Sequence, residues 1–380
     1  MPMSRRTAIS AACAAAFFGS LGAAAAQDTI KVGLIYPMTG PIAEIGMLQA
    51  EGAKLGVEKI NAAGGINGKK IELIAEDDQA TNPGMVLAFS KLVSRGDLVA
   101  IIGSLRSTQM NAINEDAKKA GIPVFFGGTD PTLTTLGNPW FFRARPSDAY
   151  SAKVIAEFGI NGLQKKKWAV VHSTDSFGVN GSKALIASLK ALGVEPVVVQ
   201  SFNNGQTDLT PVVLAVRQAG ADIISTYVAY ETDVGLLARQ LRQLGVTIPW
   251  VGSPSVSATT ARNLAGPALY NSYSVADFAA EGGPVNKAFA EEFQKRVGRQ
   301  ADHTSAWPYD AAFLLAEAIK SSGGTTPDKI RAGLLSLKGF KGAEGSYTYD
   351  AAGEGLRAYH IVRNVNGNVV YDRTISFDTK

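Results

Sequence analysis

Short apolar runs rich in β-branched residues alternate with longer stretches whose apolar positions recur every three or four residues. Period three-to-four marks an amphipathic helix, and a brief continuous run marks a strand covered on both faces. Ile30 to Ile35 reads as a strand, and Ala43 to Asn61 as a helix through Ile45, Leu48, Ala53, Leu55, Val57 and Ile60. Gly64-Gly65 ends that helix, Gly68 turns the chain, and Lys70 to Glu76 is the next strand. Helix Pro83 to Arg95 precedes strand Leu98 to Ile102, and helix Gln109 to Ala120 precedes strand Val124 to Phe126. Three β-α units in series predict a parallel sheet with helices on both faces.

The rhythm restarts after Arg143 to Ser147. Strands Trp168 to His172, Glu195 to Gln200, Ile223 to Tyr227 and Trp250-Val251 are separated by helices Val179 to Leu192, Leu209 to Ala219 and Val234 to Leu244. After Tyr273 the pattern is mostly helical, over Val285 to Val297, Trp307 to Ser321 and Pro327 to Ser336. The tail alternates as a hairpin, with Tyr359 to Asn364 and Val369 to Ile375 around a turn at Asn366-Gly367-Asn368. A helical block too large for a linker, followed by a hairpin, predicts that the chain crosses between its two β-α lobes more than once.

The first residues alter the composition. Arg5 and Arg6, the apolar stretch Ala8 to Phe18 and the small residues Ala24 to Ala26 read as an export signal over residues 1–26. That run is too short to span a bilayer as a helix. Ser4-Arg5-Arg6 half-matches a twin-arginine signal, which leaves the export route open. The whole chain carries 37 basic and 33 acidic residues, a net of +4, and one cysteine, Cys13. Without the signal 35 basic residues face 33 acidic, and no cysteine remains. A disulfide framework and a zinc finger are excluded. So small a net charge, evenly spread, also argues against nucleic acid as a partner.

In open parallel sheets, ligands bind beyond the carboxyl ends of the strands. Six loops qualify: Tyr36 to Gly40, Ser104 to Thr108, Gly127 to Pro131, Ser173 to Gly178, Val228 to Asp233 and Gly252 to Ser257. Ser104, Ser107, Thr108 and Thr129 make the first-lobe loops rich in hydroxyls, a cradle for one carboxylate. The same residues serve equally well as helix caps. Enzymatic signatures are missing: there is no phosphate-loop motif, no Gly-x-Gly-x-x-Gly after the first strand, and no Gly-x-Ser-x-Gly elbow. His172 beside Asp175 reads as a cleft-lining or loop-bonding histidine ahead of an acid–base pair, and Asp77-Asp78 as a solvated loop ahead of a cation site. No enzyme, metal or cofactor is expected.

Several stretches carry a resemblance. Lys31 to Ile35 with Thr39-Gly40-Pro41-Ile42-Ala43, then Ile60 to Gly68 and Asp77-Asp78, resemble the leucine/isoleucine/valine-binding type of periplasmic binding protein. So do Ile102-Gly103-Ser104, Ser107-Thr108-Gln109, Gly121-Ile122-Pro123, Thr129-Asp130-Pro131, Phe142-Arg143 and Ser176-Phe177-Gly178. The resemblance implies a two-lobed α/β fold of type I, with two doubly wound parallel sheets joined by a three-segment hinge. Its lobes would be 27–146 with 277–354, and 147–276 with 355–380. It implies a monomer that captures a small carboxylate in the interlobe cleft for an inner-membrane ABC permease. The carboxylate would be held by Ser107 and Thr129, with Gly127 and Gly128 giving backbone contacts and Thr108 close by. Tyr230 would close over the ligand and Tyr150 would line the hinge. Apart from the resemblance, Tyr36, Phe126, Phe177 and Tyr230 stand near the loops, where their rings either sandwich a ligand ring or equally well pack in the core. Arg106 strengthens anion binding if it faces the cleft.

One departure matters. Where α-amino-acid binders of this type carry an acid after the strand at Trp250-Val251, this chain has Gly252-Ser253-Pro254-Ser255. Either Glu231, Asp233 or Asp175 substitutes, or the ligand has no ammonium, as for an aromatic or other organic acid. A periplasmic sensor module presenting its ligand to a membrane receptor, and a secreted hydrolase, are the alternative readings.

Overall fold

The computed structural model describes residues 29–377, so the export signal expected over residues 1–26 lies outside the described residues. In the first lobe β1 (Ile30–Tyr36), α1 (Ala43–Ala62), β2 (Ile71–Asp77), α2 (Asn82–Ser94) and β3 (Leu98–Ile102) follow in order. Next come α3 (Ser107–Ala112), α4 (Asn114–Ala120), β4 (Val124–Phe126) and β5 (Phe141–Arg143). The five strands pair in parallel in the order β2-β1-β3-β4-β5. Their residues alternate between two cores, as a period of two requires. Val32, Leu34, Ile102 and Phe125 face one side, and Ile35, Ile101, Val124 and Phe126 the other.

The chain then crosses to the second lobe through Ala144 to Ser147. There α5 (Asp148–Glu157), β6 (Trp168–Ser173), α6 (Ser176–Ala191), β7 (Val198–Phe202), α7 (Thr210–Gln218) and β8 (Ile223–Tyr227) continue the pattern. They lead to α8 (Glu231–Gln243), β9 (Val251–Gly252), α9 (Thr259–Ala265) and β10 (Tyr273–Ala276). The chain returns to the first lobe for α10 (Pro284–Val297), α11 (His303–Ser322), α12 (Pro327–Ser336) and the small hairpin β11 (Lys338–Lys341) and β12 (Ser346–Thr348). It ends in the second lobe with β13 (Ala358–Val365) and β14 (Asn368–Ser376).

Helices α11 and α12 complete the core on one face of the first sheet, where Trp307, Leu315, Ile330 and Leu334 join Val32 and Leu34. The approach of α11 to α1 needs glycine: a Cβ on Gly52 would lie 2.0 Å from the Ser305 carbonyl oxygen. The second sheet departs from the all-parallel expectation. Strands β6, β7 and β8 are parallel, and a parallel bridge from Ile224 to Trp250 continues them to β9 and β10. The terminal hairpin then adds β13 and β14 antiparallel at the edge. Its Asn366-Gly367 turn, with positive φ at both residues, joins the two strands directly.

One further expectation changes in detail, and three elements had none. Helix Gln109 to Ala120 is broken at Ile113 into α3 and α4. Strand β10 and the short β5 escaped the sequence pattern, being only four and three residues long. The α5 helix, capped by the Ser147 side chain, begins right at the crossover.

Candidate functional site

A cavity of about 120 Å³ lies between the lobes, lined from the carboxyl ends of strands of both sheets. Five of the six nominated loops reach it. The exception is the loop after β1, which Asp77 holds in place by accepting from the Met38 and Thr39 amides and the Thr39 hydroxyl. Those bonds keep the Asp77 carboxyl below its usual range despite burial, and its role is to shape a loop. No cluster of potential metal ligands occurs among the described residues.

Of the residues singled out from the sequence, Arg106, Ser107, Thr108, Thr129, Phe177 and Tyr230 line the cavity. Ser107 Oγ accepts the Asp130 amide at 3.2 Å, so its proton stays available for a ligand acceptor. Thr129 Oγ1 donates to Asp148 Oδ2 at 2.6 Å. Thr108 Oγ1 lies 3.0 Å from Ser176 Oγ and accepts the Ser176 amide at 3.1 Å, joining the lobes. Ser104, by contrast, is spent locally on Gln109 and the Arg106 amide.

Three of the cavity candidates stand elsewhere, and Tyr150, expected at the hinge, lies in the first turn of α5 beside the crossover. The Gly127 N–H donates to the Ser104 carbonyl, and its own carbonyl accepts from Arg145, so both its backbone groups are committed. A Cβ there would meet the Trp307 ring at 2.7 Å, which accounts for the glycine. Gly128 gives its carbonyl to Arg143, and a Cβ would press on Ser107 Cα at 3.0 Å. Tyr150 packs on Phe377 with ring centroids 5.0 Å apart, and Tyr36 packs against the first-lobe core. Gly127, Gly128 and Tyr36 do not line the cavity.

Arg106 faces the cleft and crosses it. Its guanidinium donates to the Ala229 carbonyl and to Glu231 Oε2 at 3.1 Å, and lies 5.1 Å from the Tyr230 ring centroid. A third bridge runs from Asn180 Nδ2 to Asp130 Oδ2 at 2.8 Å. With these contacts and the Thr108–Ser176 pair made, the lobes are closed upon each other.

Sequence reasoning missed Arg145, Asn204 and His303 as lining residues. Arg145 sits in the crossover after β5, buried, and donates to Asp277 Oδ2 and, at 3.0 Å, to the Gly127 carbonyl. Its remaining Nη has no hydrogen bond among the described residues. The three acids proposed as substitutes separate clearly. Glu231 lines the cavity beside Arg106, and Asp175 lines it while capping α6 and accepting from Asn204. Asp233 lies outside the lining and accepts the Gly205 amide.

The His172 ring is bonded to the Ser173 carbonyl and does not reach Asp175. His303 does line the cavity, with its basicity lowered by burial and by Arg145. Burial pushes Asp148 up to about 6, although Thr129, Ser151 and two arginines favour its charged form. Asp277 is held low against its own burial by Arg145. Neighbouring Glu344 is driven well above its ordinary value by burial and by Asp277. Its two oxygens have no hydrogen-bond donor, as expected of a neutral acid next to a carboxylate.

A family profile described as periplasmic binding protein matches residues 29–368. A leucine-, isoleucine-, valine-, threonine- and alanine-binding protein of Pseudomonas aeruginosa is 27% identical over 351 residues, covering 92% of this chain and 93% of that protein. An amino acid binding protein of the same organism is 30% identical over 310 residues, covering 81% and 82%. Among solved structures, a branched-chain amino acid transporter substrate-binding protein of Streptococcus pneumoniae in complex with isoleucine superposes with a TM-score of 0.84. It is 26% identical and covers 92% of this chain and 99% of that one. A solute-binding protein of R. palustris in complex with benzoate shares the fold at a TM-score of 0.82 and 19% identity, covering 90% and 95%.

Proposed function

The chain belongs to the periplasmic binding protein family, and from that premise we propose that it is the exported, ligand-capturing component of an ABC importer. It binds one small carboxylate by closing its lobes, acts as a monomer without turning the ligand over, and delivers it to an inner-membrane permease. The lobes are residues 27–146 with 277–354, and 147–276 with 355–380, in keeping with two cores that draw on separated stretches of chain.

The observation that carries the reading is the small interlobe cavity towards which polar side chains converge from the first lobe. Ser107, Thr129 and Arg145 line it on that side, and Phe177 and Tyr230 wall it on the other. Its volume, about 120 Å³, is close to the roughly 150 Å³ of an engineered cavity that holds benzene. A single ring or a short branched chain fits that space. A branched-chain or neutral amino acid would find Glu231 for its ammonium, and an aromatic acid would use the ring wall alone. Similar proteins support both classes, since isoleucine and benzoate are the ligands in two structures of this fold.

Calorimetry and thermal shift with L-leucine, L-isoleucine and benzoate test the reading. Saturable one-to-one binding by at least one of them is expected. Thr129→Ala weakens it about tenfold, the worth of one hydrogen bond to a charged group. Unchanged affinity in that variant refutes the placement of the carboxylate.

A further inference from the structure

Thr129 brings a proton-counting problem to this cavity. A hydroxyl has one proton to donate, and an ionised carboxylate can only accept. In the 2.6 Å contact between Thr129 Oγ1 and Asp148 Oδ2, an ionised Asp148 takes the only proton Thr129 has. Thr129 then turns lone pairs towards the cavity, where an incoming carboxylate also brings lone pairs. Ser107 has no such conflict, because its Oγ accepts the Asp130 amide and keeps its proton for the ligand.

We propose that the protein takes up one proton at Asp148 when it captures a carboxylate, reversing the Thr129–Asp148 hydrogen bond so that Thr129 donates to the ligand. Protonated Asp148 Oδ2 then donates to Thr129 Oγ1, and the Thr129 proton swings into the cavity. The rest of the network tolerates the reversal. Asp148 Oδ1 still accepts from Ser151 Oγ at 2.9 Å, and Ser151 Oγ remains 2.7 Å from the Tyr227 hydroxyl on β8. Atoms balance: solvent supplies one proton per ligand bound, and Asp148 holds it until release. The proposal rests on the carboxylate reading above.

Asp148 is suited to this task by its surroundings. It is completely buried at the start of α5, next to the crossover between the lobes. The groups that face it are the Thr129 and Ser151 hydroxyls, Arg143 and Arg145 on its own side, Tyr227 from β8 and Tyr359 from β13. Burial outweighs the two arginines and brings its titration to about 6, within reach of neutrality near physiological pH. An anion in the cavity raises it further, since ligand and proton must favour each other reciprocally. Asp148 acts through Thr129 and is a positioning residue.

Calorimetry of the full chain with L-leucine and with benzoate, in phosphate and in Tris at pH 7.5, counts the protons directly. For whichever acid binds, uptake approaching one proton per ligand is expected. Affinity should tighten about fifty-fold from pH 8 to pH 6 and level off below, because only the protonated fraction is competent. Asp148→Asn, whose amide donates permanently to Thr129, should bind with no proton uptake and no dependence on pH over that range. Wild-type binding without proton uptake overturns the proposal even if that variant does not fold, and so does an Asp148→Asn protein that keeps the wild-type pH profile. If neither acid binds anywhere between pH 5 and pH 8, the carboxylate reading fails and this inference falls with it.

Discussion

Removing the Arg106 side chain tests whether lobe closure is secured by a direct bridge between the walls. The guanidinium joins the lobes through the Ala229 carbonyl, Glu231 Oε2 at 3.1 Å and the Tyr230 ring at 5.1 Å. Side-chain exposure is 13% for Arg106 and 2% for Glu231, so solvent screens the pair little. Hydrogen bonds to charged groups contribute about 1.5–3 kcal/mol, and a guanidinium over an aromatic face adds about 0.5–1 kcal/mol. All of this stabilises only the closed form. Arg106→Ala therefore disfavours closure by about 2–4 kcal/mol, which weakens ligand binding about 30- to 700-fold at 1.4 kcal/mol per factor of ten. Calorimetry with L-leucine or benzoate measures it, and Glu231→Gln and the double variant complete a cycle. A bridge between the lobes predicts strong coupling, with Arg106→Ala costing far less once Glu231 is neutral. Two fully additive effects would mean that Glu231 is no part of the bridge, and an Arg106→Ala affinity within threefold of wild type would refute the bridge altogether.

Other expectations concern stability. Gly52→Ala places a Cβ 2.0 Å from the Ser305 carbonyl oxygen, which is backbone and cannot swing aside. Prising α1 from α11 costs about 1–3 kcal/mol, read as a lowered urea midpoint without change in slope. Asp310 accepts the Glu344 amide and the Tyr347 hydroxyl on one oxygen and the Ala343 amide on the other. Asp310→Asn turns an NH₂ towards the Glu344 N–H, leaving a buried donor unpaired at a cost of about 1–3 kcal/mol; unchanged denaturation would refute this account. Burial holds Asp78 and Asp148 up to about 6 and Asp310 up to about 7. Between pH 4 and pH 7 the folded state therefore binds more protons than the unfolded one through these groups, so their contribution to stability declines as pH rises through that window. His303 and His360, held low by burial, act in the opposite sense below pH 6.5. With Glu344 siding with the three aspartates, the ligand-free protein should melt at a lower temperature at pH 7.5 than at pH 5, and a rise in melting temperature would overturn the balance.

The fold was legible because its elements are locally consistent. Strand β3 begins and ends where the run Leu98 to Ile102 does, and the tail hairpin forms around the Asn-Gly turn that announces it. Five of the six loops nominated by the rule that ligands meet strand ends line the interlobe cavity, Ser107, Thr129 and Tyr230 among their residues. Tyr36, the last residue of β1, packs on the first-lobe core instead of the cavity, because an aromatic residue at a strand end looks the same in sequence whether it faces a ligand or a core. Gly127 and Gly128 went astray because only the packed structure commits their backbone groups, to Arg145 and Arg143.

Sequence alone, through apolar periodicity and turn chemistry, determined two β-α lobes and the ends of the strands at which a ligand would sit. Only tertiary structure decided which charges meet there. Arg145 and Asp277 are 132 residues apart, and Arg106 and Glu231 125. No local pattern encodes such pairs, because they form where chain crossings bring distant segments together in a water-poor interior. Asp148 makes the same point about protonation. Its identity is written in the sequence, but burial beside Thr129 raises its affinity for a proton.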